Sequence, residues 1–215
     1  MSGAVSRLWA SAAVRVVPDQ VLRQTAKRFE SRDEILAARP LLELIRTSMR
    51  ETPESVALAA PQVGVSQRLF VVDDAATTAF PFLAFFNPRV AAVHNRKRQQ
   101  LIPECCLSVP DVVGVVRRPM HLTVAFEDHD AATHSMELHG YWAQVVQHEL
   151  DHLDGILFTD KLAAAKTWTL EEWQRISVPD VRDVRGLELT NFEYDSWFRL
   201  NNGPRVFNRA RAPST

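Results

Sequence analysis

The run Gln147-His148-Glu149-Leu150-Asp151-His152 places two imidazoles four residues apart with a carboxylate between them. On a helix, positions i and i+4 lie on one face, one turn apart. Two neutral imidazoles so placed can grip a divalent metal. Glu149 falls about 100° round the helix from His148. From there it enters the coordination sphere poorly but reaches a water on the ion, the geometry of metal-assisted hydrolysis with a carboxylate base. Tyr141, Val145 and Val146 supply apolar positions in the preceding turns, Leu150 and Leu153 continue the apolar face, and Asp154-Gly155 supplies a stop.

A tetrahedral site needs a third protein ligand. In one metalloprotease class a third His follows Gly155 by three residues, but Phe158 stands there and cannot bind a metal. A second option is a glutamate from a following helix. Glu171 or Glu172, in a stretch (Thr169 to Ile176) that reads as helical, would make a glutamate-type zinc peptidase. The third option is upstream, in Glu104-Cys105-Cys106-Leu107-Ser108, which holds the only two cysteines of the chain. A bridge between neighbouring cysteines closes almost no loop and is strained, so this is not a disulfide framework. Cys plus two His leaves one position for water. On an extended segment Cys105 and Cys106 point to opposite faces, so only one is expected to bind.

Three short motifs now stand in order: Ser55-Val56-Ala57-Leu58-Ala59-Ala60-Pro61-Gln62, Glu104-Cys105-Cys106-Leu107-Ser108 and Gln147 to His152. In order and spacing they resemble the peptide deformylases, whose motifs are G-x-G-x-A-A-P-Q, E-G-C-x-S and Q-H-E-x-D-H. The resemblance covers roughly Arg15 to Leu162 and includes Asp19 to Arg23, Asn87-Pro88, Arg118-Pro119 and Asp151 to Gly155. It implies an enzyme that removes the formyl group from N-formyl-methionine at the N-terminus of new polypeptides. It further implies that Cys106, His148 and His152 hold one divalent metal ion, that Glu149 is the general acid/base, and that the Gln62 side chain and Leu107 backbone N–H face the reacting carbonyl oxygen. The family typically uses Fe(II), and works with Zn, Ni or Co in its place. Matching Leu107-Ser108 selects Cys106 over Cys105.

Ser55, Ala57 and Cys105 replace three glycines of the family pattern. The second of these lines the cleft where substrate backbone pairs, so Ala57 adds a methyl there. These replacements are the support for an alternative, a deformylase-like protein with weak or lost catalysis that acts by binding. None of the inferred chemical groups is lost, and an active enzyme is the leading expectation.

Methionine needs an apolar pocket beside the metal. Val56, Ile102, Tyr141 and Val145 are the expected walls, together with Ala57; Tyr141 and Val145 precede His148 at i−7 and i−3. Glu104 is expected to pair with Arg118 behind the metal cysteine and to support the ligands from there. His94, His121, His129, His134 and His139 show no ligand-like spacing and read as surface or loop residues. Asn95 to Gln100 is a basic cluster, read as a solvated turn. Its functional alternative is a contact with ribosomal RNA near the exit tunnel, where the family's substrates emerge.

The 215 residues suit one domain with a sizeable core. A net charge of −1 implies no strong electrostatic partner and no specific nucleic-acid site. A required thiolate suits a reducing compartment. No apolar stretch is long enough to cross a membrane, and Met1 to Val17 lacks the continuous apolar core of a secretory signal. A cytoplasmic location is expected. The alternative is organelle targeting, since Met1 to Val17 has two arginines and no acid.

Ser31 with Glu34 resembles a capping box opening a helix that continues through Ile35, Leu36, Leu41, Leu42, Ile45 and Met49, split or kinked at Pro40. Strands are expected at Val14 to Val17, Arg68 to Val72, Phe80 to Phe86 and Leu122 to Phe126. The pattern predicts an α+β fold of mostly antiparallel strands around a central metal-binding helix, and the resemblance implies the same. The expected organisation is an N-terminal extension over 1–13, a catalytic domain over 14–165 and an aromatic-rich extension over 166–215. In that extension Trp168, Trp173, Phe192, Tyr194, Trp197 and Phe198 favour burial or a partner surface.

Overall fold

The structure, a computed structural model, describes residues 14–52, 55–73, 82–95 and 99–175. They form, in chain order, α1 (Arg32–Ala37), α2 (Arg39–Glu51), β1 (Ala57–Ala59), β2 (Leu69–Val72), β3 (Leu83–Val93), β4 (Gln99–Cys106), β5 (Val109–Pro119), β6 (His121–Glu127), β7 (Thr133–His139), α3 (Gly140–Leu153), β8 (Leu162–Trp168) and α4 (Leu170–Arg175). One sheet has the order β1-β2-β3-β6-β7 and the other β4-β5-β8. Every pairing between these strands is antiparallel, as the α+β reading requires.

The continuous apolar run of β2 follows from burial on both faces. Phe70 and Val72 pack with Phe85, Leu122, Val124 and Leu138 against Trp142, Ala143, Val146 and Leu150 of α3. Leu69 and Val71 pack on the other side with Ile35, Leu42, Ile45 and Met49 of the first two helices. The metal-motif helix therefore lies on one face of the large sheet, with α1 and α2 on the other.

Ser31 caps α1: its hydroxyl accepts from the Glu34 N–H at 3.3 Å, while the Glu34 carboxylate reaches the N–H of Glu30, one residue earlier than a closed box requires. The helix breaks at Ala38 and restarts with Pro40 in its first turn, where a missing N–H costs nothing. The expected strand at Val14 to Val17 is not formed. The Arg15 and Val17 N–H groups instead donate to the carbonyls of Gln62 and Ser108, which lie in two separate turns and offer no ladder. The segment thus ties the first and second sequence motifs together.

The chain crosses the boundary expected at 165 without a break. Strand β8 continues to Trp168, and Trp168 and Trp173 are buried with Leu101, Val113 and Val115. The first two aromatics of the presumed extension therefore complete the small sheet's core. Phe192, Tyr194, Trp197 and Phe198 lie outside the described residues, as do Arg96, Lys97 and Arg98 of the basic cluster.

Helix α3 ends where the Asp154-Gly155 signal places it. Gly155 has φ +72°, and a Cβ there would lie 2.7 Å from the Arg23 carbonyl oxygen. Gly155→Ala is expected to cost about 1–3 kcal/mol from the left-handed backbone and this close approach. Urea unfolding of the variant beside wild type checks this; an unchanged midpoint would contradict it.

Candidate metal centre

The centre is assembled from a strand and a helix that face each other. Glu104 and Cys106 are two apart on β4 and so share a pleat face; His148 and His152 are one turn apart on α3. The Glu104 carboxylate meets His148 Nδ1 at 2.9 Å, and Cys106 Sγ meets His152 Nε2 at 3.2 Å. The ligand atoms of Cys106, His148 and His152 all lie within 4.8 Å of one another. With Nδ1 of His148 held by Glu104, Nε2 is the nitrogen left to bind an ion. Cys105 is exposed, as the strand alternation predicts.

Behind Cys106, His148 and His152 runs an ionic chain that is buried from Glu104 to Asp151. Arg118 donates from Nε and Nη2 to both oxygens of Glu104, at 2.7 and 2.8 Å, and from Nη1 to Asp151 at 2.6 Å. Lys161 reaches the other Asp151 oxygen at 2.5 Å. Sequence reasoning paired Glu104 with Arg118 but missed Asp151 and Lys161; the position of Asp151 three residues beyond His148 on the helix was the available signal.

Burial pushes the Glu104 carboxyl up, but hydrogen bonds from Arg118 and His148 outweigh it and hold its pKa at about 2. Burial also opposes ionisation of Cys106, yet the imidazoles of His152 and His148 bring its thiol well below the usual range. His148 is raised despite burial, because Cys106 and Glu104 flank it. One thiol sulfur and two imidazoles are a borderline-soft donor set that fits a divalent first-row metal. Glu149 is buried, its Oε2 has no hydrogen-bond partner among the described residues, and burial raises its pKa to about 7.

A cavity of about 200 Å³ opens beside the centre. Of the expected residues, Val56, Ala57, Gln62, Glu104, Cys106, Leu107, Tyr141, Val145, His148 and Glu149 line it. Ile102 does not: it is buried opposite Val116, one pleat further along β4 from the cavity than Glu104, and the strand offers Pro103 and Cys105 instead. Gln144 also lines it and was missed, although it precedes His148 by four residues on the same helix face. Gln62 sits in the turn Ala60–Val63. Its Oε1 accepts from the Ala59 N–H at 2.9 Å, which turns Nε2 toward Ser108 Oγ (3.2 Å) and Cys106 Sγ (3.7 Å).

The glutamate-ligand alternative fails on geometry. The Glu172 carboxylate accepts from the Thr169 N–H at 2.8 Å, and Glu171 pairs with Arg175. Both cap and brace α4, which packs against β5 and β8, and neither joins His148 and His152.

Residues 11–168 match the family model for polypeptide deformylase. A peptide deformylase of Chlorobium luteolum is 38% identical over 152 residues, covering 69% of this chain and 77% of the relative. The crystal structure of peptide deformylase from Thermotoga maritima superposes with a TM-score of 0.62 at 34% identity, covering 70% of this chain and 96% of that one. A class I type b peptide deformylase from Acinetobacter baumannii, solved with Met-Ala-Ser bound, gives a TM-score of 0.61 at 28% identity, covering 69% and 96%. With most of its length matched by the family, and more than three quarters of these relatives spanned in return, this chain belongs to the polypeptide deformylases and is an enzyme of that family.

Proposed function

We propose that the enzyme hydrolyses the formyl amide of N-formyl-methionyl peptides to formate and a free amine, with Cys106, His148 and His152 holding one ion, Fe(II), for which Zn, Ni or Co can stand in. The observation that carries the reading is a buried carboxylate oxygen, Glu149 Oε2, without a hydrogen-bond partner among the described residues, beside a Cys-His-His cluster in a cavity. When bound, the ion supplies Lewis acidity, lowering the pKa of water and polarising a carbonyl. Glu149 takes the water's proton and delivers it to the departing amine. Its burial in the cavity wall opposes ionisation, which favours the return of the proton to the amine. Gln62 Nε2 and the Leu107 N–H are the proposed donors to the oxyanion.

Among the described residues strand β1 is an edge strand, paired only with β2, and its Ala57 lines the cavity. A substrate backbone can add to such an edge, with alternate side chains entering pockets. Val56, Ala57, Tyr141 and Val145 are the proposed walls for methionine. The Acinetobacter baumannii relative was solved with Met-Ala-Ser, a peptide that begins with methionine and has the form of the deformylated product. N-formyl-methionyl chains emerge at the ribosome exit tunnel, which is the proposed working place, in the cytoplasm. Among the described residues no helix is long and apolar enough to cross a membrane.

The test compares formyl-Met-Ala-Ser with acetyl-Met-Ala-Ser on anaerobically purified protein loaded with Fe(II) or Ni(II). Turnover of the formyl peptide alone is expected, because the small formyl group fits where an added methyl does not. No turnover in metal-replete protein would overturn the reading. The two cysteines should separate in the same preparation. Cys106→Ala is expected to lose bound metal and activity, whereas Cys105→Ala, at an exposed position, keeps its metal. Metal analysis after gel filtration checks both.

A further inference from the structure

His94, His121 and His139 are far apart in sequence, and their spacing gives none of them a partner. The sheet brings them together. The His94 N–H donates to the His121 carbonyl at 2.9 Å, and His121 sits opposite His139 in the β6–β7 register. The three rings form a row across adjacent strands, with centroids 4.2 and 3.9 Å apart. Glu137 completes the group. It contacts the His121 ring directly, and its Oε1 lies 3.3 Å from His139 Nε2. Ligand atoms of His94, His121 and Glu137 all lie within 4.8 Å of one another. The Thr123 hydroxyl, 2.7 Å from His94 Nε2, holds that ring in place.

The row lies on the outer face of the sheet. Leu122, Val124 and Leu138 point into the core beneath α3. His121, Thr123, Glu137 and His139 alternate with them and point the other way. This is therefore a separate place from the Cys106 centre, on the opposite side of the β6–β7 ribbon from α3.

We propose that His94, His121 and Glu137, with His139 beside them, form a second divalent-metal site. Two or three imidazoles and one carboxylate select a borderline first-row ion such as Zn(II) over Mg(II) or Ca(II). Ligands about 2.0–2.1 Å from a tetrahedral ion lie roughly 3.4 Å apart. The side chains of His121, Glu137 and His139 are 33, 47 and 54% exposed, so they have room to close around an ion. A first-row ion replaces the contact that His121 now makes with Glu137 by bonds from both.

The test uses Ni(II)-loaded enzyme dialysed against about 50 µM Zn(II), a concentration that fills a weak surface site of this donor set, followed by analysis of both metals. About one Zn(II) bound per chain with the Ni(II) retained is expected. His121→Ala and Glu137→Gln, both on the solvent face, should each lose that Zn(II) while keeping the Ni(II) and the deformylase turnover. Wild-type enzyme that binds no Zn(II) beyond exchange for Ni(II) overturns the proposal, as does full Zn(II) binding by both variants.

Discussion

Glu149→Gln is expected to lower kcat/KM for formyl-Met-Ala-Ser by about 10²–10⁴-fold, the usual worth of a positioned proton-transfer group. The amide has the shape of the carboxylate but takes no proton. Metal content should stay at the wild-type level, because Glu149 is not one of the three proposed ligands. Loss of activity with full metal separates the base from the ligands; loss of both together would place Glu149 in the coordination sphere. The variant also carries a pH signature. In the folded protein burial lifts the Glu149 pKa from 4.5 to about 7. The folded state therefore holds this proton more tightly than the unfolded state, and the cost of ionising it in place grows as pH rises from 4.5 to 7. Metal-free Glu149→Gln should match wild type below pH 4.5 and exceed it in stability above pH 7, by an amount on the order of a few kcal/mol. Urea melts across that range check this, and a difference that shrinks with rising pH would contradict it.

The parts of the site that were legible in the sequence are those whose geometry is local. The i, i+4 relation of His148 and His152 fixes a shared helix face before any tertiary contact forms, and the two-residue period of β4 separates Cys106 from Cys105. Residues set by packing between distant elements were read less well. Ile102 has the right polarity for a pocket wall, but which part of β4 borders the cavity depends on where α3 crosses it. Val14 to Val17 has strand composition, yet its neighbours are turns, so two hydrogen bonds form and no ladder does. Trp168 and Trp173 looked like the start of an appendage because the motifs end earlier; only the pairing of β8 with β5 shows that the small sheet needs them. The histidine row is the extreme case. Its members acquire a relation only through the register of three strands, which no spacing rule along the chain expresses.

The second large effect is expected from Arg118→Ala, which touches neither the cavity nor the three proposed ligands. The side chains of Arg118 and Glu104 are 3 and 2% exposed and meet through two parallel hydrogen bonds. Removing the guanidinium leaves the Glu104 carboxylate buried with only His148 beside it and takes a partner from Asp151. Breaking a buried pair from one side costs about 3–5 kcal/mol. Arg118→Lys should recover only part of this, since an ammonium cannot engage both Glu104 oxygens and Asp151 in the same fork. The centre should feel the loss too. Glu104 fixes His148 through Nδ1, and loss of such support typically lowers metal affinity about 10–100-fold. The acid side of the stability curve carries the same signature. Glu104 is held at about 2, below its ordinary 4.5, so it contributes stability that is present above pH 4.5 and lost as pH falls toward 2. In Arg118→Ala that carboxyl returns upward and the slope between pH 4.5 and 2 flattens. Urea melts from pH 2 to 7, with metal retention followed by dialysis against a chelator, test both consequences. An Arg118→Ala protein with wild-type metal retention and an unchanged acid slope would show that Glu104 positions His148 without this arginine.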